Sequence, residues 1–189
     1  MEAWVHRALE RWPNVPALYG WLSLDRRGRW RIRGETISRP QIVEVIDRNY
    51  GADEQGRWYS QNGPQRGYMA LEYAPFVLRA ADDGVGLVTH NGLAVEAPAL
   101  AWLDEEGALG VATEHGPGLV LDEELAFVLE RLETDGAPIG EDALEQALAR
   151  ASGAPTGWVM RLGARVVPVV RLDAAHVPAH FGFVRDPQP

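Results

Sequence analysis

At 189 residues with 46% hydrophobic and 24% charged side chains, the chain can bury one good core or two small ones, as soluble globular domains do. It holds no cysteine, which excludes disulfides, thiol catalysis and Cys-ligated metal sites. A net charge of −9 and a pI near 5.0 argue against a dedicated nucleic-acid binder. Residues 2–12 place Trp4, Val5, Ala8, Leu9 and Trp12 at helical spacing and predict an N-terminal amphipathic helix stopped by Pro13. The same stretch carries charges throughout and no apolar run, so it is not a signal peptide. With no segment near the about 18 apolar residues of a membrane span, a soluble cytoplasmic protein is expected.

The next segment, WLSLDRRGRWRIRGETIS, reads as a β-hairpin turning at Asp25–Gly28, with Trp30 and Ile32 on one face and Arg29, Arg31 and Arg33 on the other. SRPQIVEVIDRNYG predicts a helix with a Ser38–Gln41 capping box, Pro40 in its first turn, a buried stripe of Ile42, Val43, Val45 and Ile46, and a left-handed cap in Asn49–Gly51. A meander of short strands follows, with turns at EQG and NGP. Further hairpins are expected around His90-Asn91-Gly92 and at Asp104–Gly107. Asp122 starts a predicted helix over 122–134 that buries Leu125, Phe127, Val128, Leu129 and Leu132, and GEDALEQALARASG predicts another ending at Gly153. The tail reads as short β segments, frayed at Pro187 and Pro189.

Two parts of the chain echo each other. Gly34 falls on Gly136, Ile42 on Leu144, Ile46 on Leu148, Arg48 on Arg150 and Gly51 on Gly153; after small slips Trp58 falls on Trp158 and Gly63 on Gly163. Leu24–Gly28 is echoed by Leu103–Gly107. The expected fold is therefore α+β: one compact unit over 1–189, made of two degenerate hairpin–helix–β-meander repeats at about 17–80 and 98–185. The repeats pack as one body, and an N-terminal helix precedes them. Charge divides unevenly. Residues 1–80 hold 12 Arg and 9 acids, residues 81–189 hold 6 Arg and 18 acids, and lysine is absent.

GRWRIRGETIS, RNYG, GRWY, QNGPQR and LEYAPFVLR resemble the signature of an uncharacterised bacterial family, a domain of unknown function, over about residues 11–110 and weakly beyond. More distantly, the glycine-tryptophan strand, short helix, β-meander and Ala-Pro-Phe are similar to a two-repeat α+β family linked to signal transduction. The resemblance supports the fold and brings no catalytic residue.

No motif carries recognisable catalysis. His176-x-x-x-His180 would pair two metal ligands on a helix, but Pro178 lies between them and no third ligand is near, so no metal and no cofactor is expected. Ser23, Ser38, Ser60 and Ser152 lack a nucleophile motif, and the Asp104–Glu106 and Asp122–Glu124 triplets lack calcium-loop spacing. The reading that remains is a non-enzymatic binding or regulatory module, recognising a polar or anionic small molecule or an acidic protein partner. Arg48, Asn49 and Tyr50 at a helix end and Gln61, Asn62, Gln65 and Arg66 in the QNGPQR turn form its candidate site. Arg29, Arg31 and Arg33 are a secondary anion patch. Alternatives are a hydrolase with a dispersed site around His90 or His115, and nucleic-acid binding through the arginine strand.

Overall fold

The computed structural model describes Arg7, Glu10, Arg11, residues 15–140 and residues 142–189. The helix expected over 2–12 falls largely outside the described residues. The chain forms two compact units: Met1–Pro75 with Gly182–Pro189, and Phe76–Phe181. Both are mostly β-sheet with short helices, within the α+β class.

The first unit contains β1 (Leu18–Leu24), β2 (Trp30–Ile32), β3 (Glu35–Thr36), α1 (Pro40–Arg48), β4 (Tyr50–Ala52), β5 (Trp58–Asn62) and β6 (Gln65–Leu71). Its sheet runs β3-β2-β1-β6-β5-β4, antiparallel throughout except where β1 lies parallel to β6. The β1–β2 turn is an Asp-x-x-Gly loop: Asp25 Oδ1 accepts the N–H groups of Arg27 and Arg29 at 2.9 Å, and Gly28 takes φ +76°. The same loop recurs at Asp53–Gly56, before β5. Arg33 and Gly34, at φ +50° and +84°, make a tight turn into β3, so the strand ends at Ile32 and Arg33 leaves it.

Helix α1 forms as its period predicts, with two differences at its ends. Arg39 is the N-cap with Pro40 behind it, and no side chain caps the amides, so the Ser38–Gln41 box does not form. Asn49 ends the helix at φ −118°, outside the left-handed region, because the chain passes directly into β4; its side-chain amide donates to Val45 O at 3.0 Å. Only Ile46 of the expected stripe is buried, and Ile42 remains 43% exposed. Ahead of Pro187 and Pro189 the tail is tied down. Leu71 N–H donates to Arg185 O at 2.7 Å, Val184 N–H donates to Gly56 O at 2.9 Å, and Phe183 is buried.

The second unit holds β7 (Phe76–Ala80), β8 (Leu87–Thr89), β9 (Ala94–Val95), β10 (Leu100–Leu103), β11 (Leu109–Thr113) and β12 (Gly116–Val120). A 3-10 turn (Asp122–Glu124) leads into α2 (Leu125–Leu129), followed by β13 (Leu132–Thr134), β14 (Ala137–Pro138) and α3 (Ala143–Leu148). Strands β15 (Pro155–Leu162) and β16 (Arg165–Arg171) and helix α4 (Val177–Phe181) complete it. The sheet order is β14-β13-β15-β16-β10-β11-β12-β7-β8-β9, with parallel pairs at β10–β16 and β12–β7. The helix expected over 122–134 stops early. Leu132 is buried instead in β13, opposite Met160, and Leu129 stays 45% exposed. The tail stretch expected as β is helical at Val177–Phe181, because Pro178 lies in its first turn, where a missing N–H costs nothing.

Candidate functional site

The hairpin β5–β6 turns on two residues, Gly63 and Pro64, with Asn62 facing Gln65 and Gln61 facing Arg66. Gly63 takes φ +57°, a conformation glycine adopts at little cost, and Pro64 fits the following position. Because side chains alternate across a strand, the turn divides its own polar residues. Gln61 and Arg66 emerge on the face that carries Tyr59 and Tyr68. Asn62 and Gln65 emerge on the other, where they border an apolar groove of about 220 Å³ lined by Leu18, Leu22, Ile32, Ile42 and Ile46.

On the first face lies an open depression of about 440 Å³, lined by Asp53, Glu54, Gln55, Arg57, Tyr59 and Arg66 with Ala52 at its margin. Tyr68, 4% exposed, is tied to its Asp53 and Arg57. The Tyr68 hydroxyl donates to Asp53 Oδ2 at 2.9 Å and accepts from Arg57 Nη2 at 3.0 Å. Tyr19 stacks on the Tyr68 ring at 4.6 Å and 12°, and Tyr59 meets it edge-on at 5.9 Å. Each guanidinium lies over a phenol ring, Arg57 over Tyr68 at 4.7 Å and Arg66 over Tyr59 at 4.0 Å.

The two arginines are charged alike and partnered differently. Arg57 gives Nε and Nη2 to Asp53 Oδ2, both at 2.8 Å. Arg66 gives Nε to the amide oxygen of Gln61 at 3.3 Å, and among the described residues it pairs with no carboxylate. Gln61 is fully buried and fixed in turn by donating to Gly63 O at 3.0 Å. Burial works against the charge of Arg66, yet its pKa is raised by the nearby Tyr68, Tyr59 and Asp53.

Burial would raise the pKa of Asp53, but the side chain and backbone N–H of Arg57, the Tyr68 hydroxyl and the Gln55 N–H together lower it from 3.8 to about 2. A carboxyl with a depressed folded pKa contributes stability that is complete above its unfolded value and lost as pH falls through its folded one. Stability should therefore fall between pH 3.8 and about 2, with Asp25, also lowered, acting in the same direction. Asp53→Asn is expected to cost about 1–2 kcal/mol at neutral pH and little at the acid end. Urea denaturation of both proteins across that range checks it.

The other expected site residues go elsewhere. Arg48, at the last turn of α1, reaches Glu44 Oε2 at 3.5 Å. Asn49 is buried as the helix cap already described. The Tyr50 ring stands between Trp30 (4.8 Å) and Trp58 (4.9 Å), its hydroxyl donates to Pro75 O at 2.9 Å, and burial pushes its pKa well above 10. Of the secondary patch, Arg29 pairs with Asp25 at 2.7 Å, Arg31 lies 3.6 Å from Asp25 and 3.5 Å from Glu72, and Arg33 stacks on Trp21 at 3.7 Å.

The groups considered for hydrolysis are occupied by structure. His90 Nδ1 accepts from Val77 N–H at 3.2 Å, and His115 Nε2 lies 2.8 Å from Ala94 O. The Glu114 carboxylate takes the N–H groups of Glu96 and Ala97 at 2.7 and 3.1 Å. Ser152 Oγ is 2.8 Å from His176 Nδ1, and Asp173 Oδ2 is 3.8 Å from the same nitrogen. A catalytic triad needs serine and carboxylate on opposite ring nitrogens. Here Ser152 Oγ also accepts Asp173 N–H at 2.9 Å, which makes it a turn lock. Among the described residues no group of three or more His, Asp or Glu is arranged to hold a metal ion, and no helix is long and apolar enough to cross a membrane.

Asp53, Arg57 and Tyr59, which line the depression with Arg66, are not among the residues expected from the sequence. A signal existed: Asp25-Arg26-Arg27-Gly28-Arg29 and Asp53-Glu54-Gln55-Gly56-Arg57 share the Asp-x-x-Gly-Arg spacing, and in both the arginine Nε returns to the aspartate, at 2.7 and 2.8 Å.

No curated protein matches the sequence. The fold is similar to the crystal structure of a DUF1285 family protein from Silicibacter pomeroyi DSS-3, with a TM-score of 0.54 and 18% identity over 83% of this chain and 84% of that one. A DUF1285 family protein from Shewanella baltica OS155 matches at a TM-score of 0.41 and 13% identity, over 56% of this chain and 87% of that one. Over residues 1–188 the sequence matches the model of DUF2944, described as a protein of unknown function (DUF2946), and the chain belongs to that family.

Proposed function

We propose that the chain is a non-enzymatic binding or regulatory module whose working surface is the arginine–tyrosine depression of the first unit. Its ligand is a polar anion, either a small molecule or the acidic segment of a protein partner. The observation that carries this reading is Arg66. Its guanidinium is oriented by a buried glutamine, stacked on a tyrosine, and left without a carboxylate in an open depression of about 440 Å³. A cation held in place before binding loses little side-chain freedom when an oxyanion arrives, and its planar fork suits such a group.

The fold, in the same reading, is a pair of degenerate repeats. Parallel pair β1–β6 encloses α1 and pair β10–β16 encloses α2 and α3, and each closes on a two-residue hairpin, whose glycines, Gly63 and Gly163, share φ +57°. Tight turns at Arg33-Gly34 and Asp135-Gly136 precede the two helices. The second copy lacks the candidate site: where Gln61 faces Arg66, it has Arg161 facing Val166, and Arg161 goes to Glu133 at 2.8 Å.

A thermal-shift screen of small anionic metabolites, nucleotides and short acidic peptides on wild type and Arg66→Ala tests the site. Ligands that stabilise the wild type and not the variant are expected. Hits that stabilise both equally refute the location, and retention on single-stranded nucleic acid that falls steeply with salt would favour the arginine-strand alternative.

A further inference from the structure

The charges around Tyr68 set a limit on what the depression accepts. Arg57 is neutralised in place, since Asp53 Oδ2 takes both its Nε and Nη2 as well as the Tyr68 hydroxyl, and Asp53 Oδ1 takes two backbone N–H groups. Asp53 and Arg57 therefore cancel as a fixed pair. Glu54, exposed on the rim, is the one further acid of the lining. Against it stands one cation without a carboxylate partner, Arg66, beside the neutral phenol of Tyr59.

The hydrogen-bonding directions agree with this balance. The Nε of Arg66 is committed to Gln61, its guanidinium lies over the Tyr59 ring, and its Nη groups, which no hydrogen bond among the described residues takes up, belong to a side chain that lines the depression. Such groups match one or two oxygens of a planar carboxylate. A phosphate dianion would bring a second negative charge beside Glu54 with no second free cation to meet it.

Resting on the reading of this depression as an anion site, we infer that it selects a singly charged carboxylate and discriminates against a phosphate dianion. The carboxylate is borne by a small acid or by a peptide terminus. An ordinary basic patch behaves in the opposite way, binding the dianion more tightly than the monoanion.

The test uses the intact protein with formate and with methyl phosphate, whose second ionisation lies near pH 6, about one unit below and two units above that pH, at constant ionic strength. Affinities are read from the shift of the unfolding midpoint with ligand concentration. Formate, ionised at both pH values, is expected to bind equally at each, whereas methyl phosphate weakens by about tenfold or more as it becomes a dianion. Asp53→Asn, if folded, should narrow that loss.

Methyl phosphate that tightens as pH rises, or exceeds formate at the upper pH, overturns the selectivity while leaving the anion site standing. If neither probe is affected by Arg66→Ala, the anion site itself fails. An N-acetylated dipeptide and its C-terminal amide separate the two sources. Tighter binding of the free-acid peptide than of formate, lost on amidation, indicates a chain terminus, and equal binding indicates a small acid; both support a carboxylate ligand.

Discussion

Trp102→Ala is expected to destabilise the second unit by about 3–5 kcal/mol, the largest effect of any single replacement considered. The indole is fully buried at the centre of the β16-β10-β11 region, 4.7 Å from the Phe181 ring. Across the ladder it faces Gly110, and the ring lies over that glycine: a β-carbon there would overlap the six-membered ring. Gly110→Ala should accordingly cost about 2–3 kcal/mol in the wild-type background, because a side chain with no exposed surface has nowhere to shift. In the Trp102→Ala background the same glycine change should be nearly neutral, since the space is vacant. Chemical denaturation of the four proteins measures this coupling. Additive losses would show that the ring does not depend on Gly110.

The second large effect concerns binding. Arg66→Met keeps the side-chain stem over Tyr59 and removes the charge-assisted hydrogen bonds, worth about 1.5–3 kcal/mol, so anion affinity should drop by about 10- to 150-fold. Stability should fall by about 1–3 kcal/mol as well, because the buried amide oxygen of Gln61 loses the N–H it accepts, so affinity is read on the folded protein. Gln61→Glu tests the positioning role. It puts a carboxylate where the amide oxygen now receives Arg66 Nε at 3.3 Å, so Arg66 becomes paired within the protein. Binding by the folded protein should fall as far as in Arg66→Met while the arginine remains present, and the loss of the donor to Gly63 O lowers stability separately. A purely structural Gln61 would instead produce a destabilised protein whose remaining folded fraction binds normally. The two outcomes separate in a parallel measurement of melting midpoint and affinity.

Much of the fold was legible because its turns are chemically explicit. Asp25–Gly28 and Asp104–Gly107 mark the β1–β2 and β10–β11 hairpins, and the aspartate caps its loop in the same way at both. The α1 helix is marked by its period and by Pro40. What misled was local pattern overridden by pairing. Residues 122–134 have helical spacing, but Leu132 gains more from burial opposite Met160 in β13 than from a further helical turn. At the tail, Pro178 suggested non-helical chain, yet proline is tolerated in a first turn.

The candidate site was half legible. Arg66 and Gln61 were found from the surplus of polar groups in a turn that needs only Gly63. The reading took QNGPQR as one surface, although period-two alternation around a two-residue turn sends Asn62 and Gln65 to the opposite face. Asn49 and Tyr50 looked like exposed helix-end groups and are consumed by a cap and by Pro75 O. Asp53 and Arg57 precede β5 and join Arg66, on β6, in lining one depression, a meeting between strands that no single stretch of sequence displays.

The most direct test of Arg66 as the centre of an anion site is a formate titration followed through the arginine side-chain Nε–H resonances, at neutral pH and constant ionic strength. The account predicts a saturable shift confined to Arg66 and its neighbour Arg57, with Arg29, Arg31 and Arg48 unmoved, and no such shift in Gln61→Glu. A uniform, non-saturating drift of all the arginines, or a first response at Arg29, Arg31 or Arg48, would contradict it.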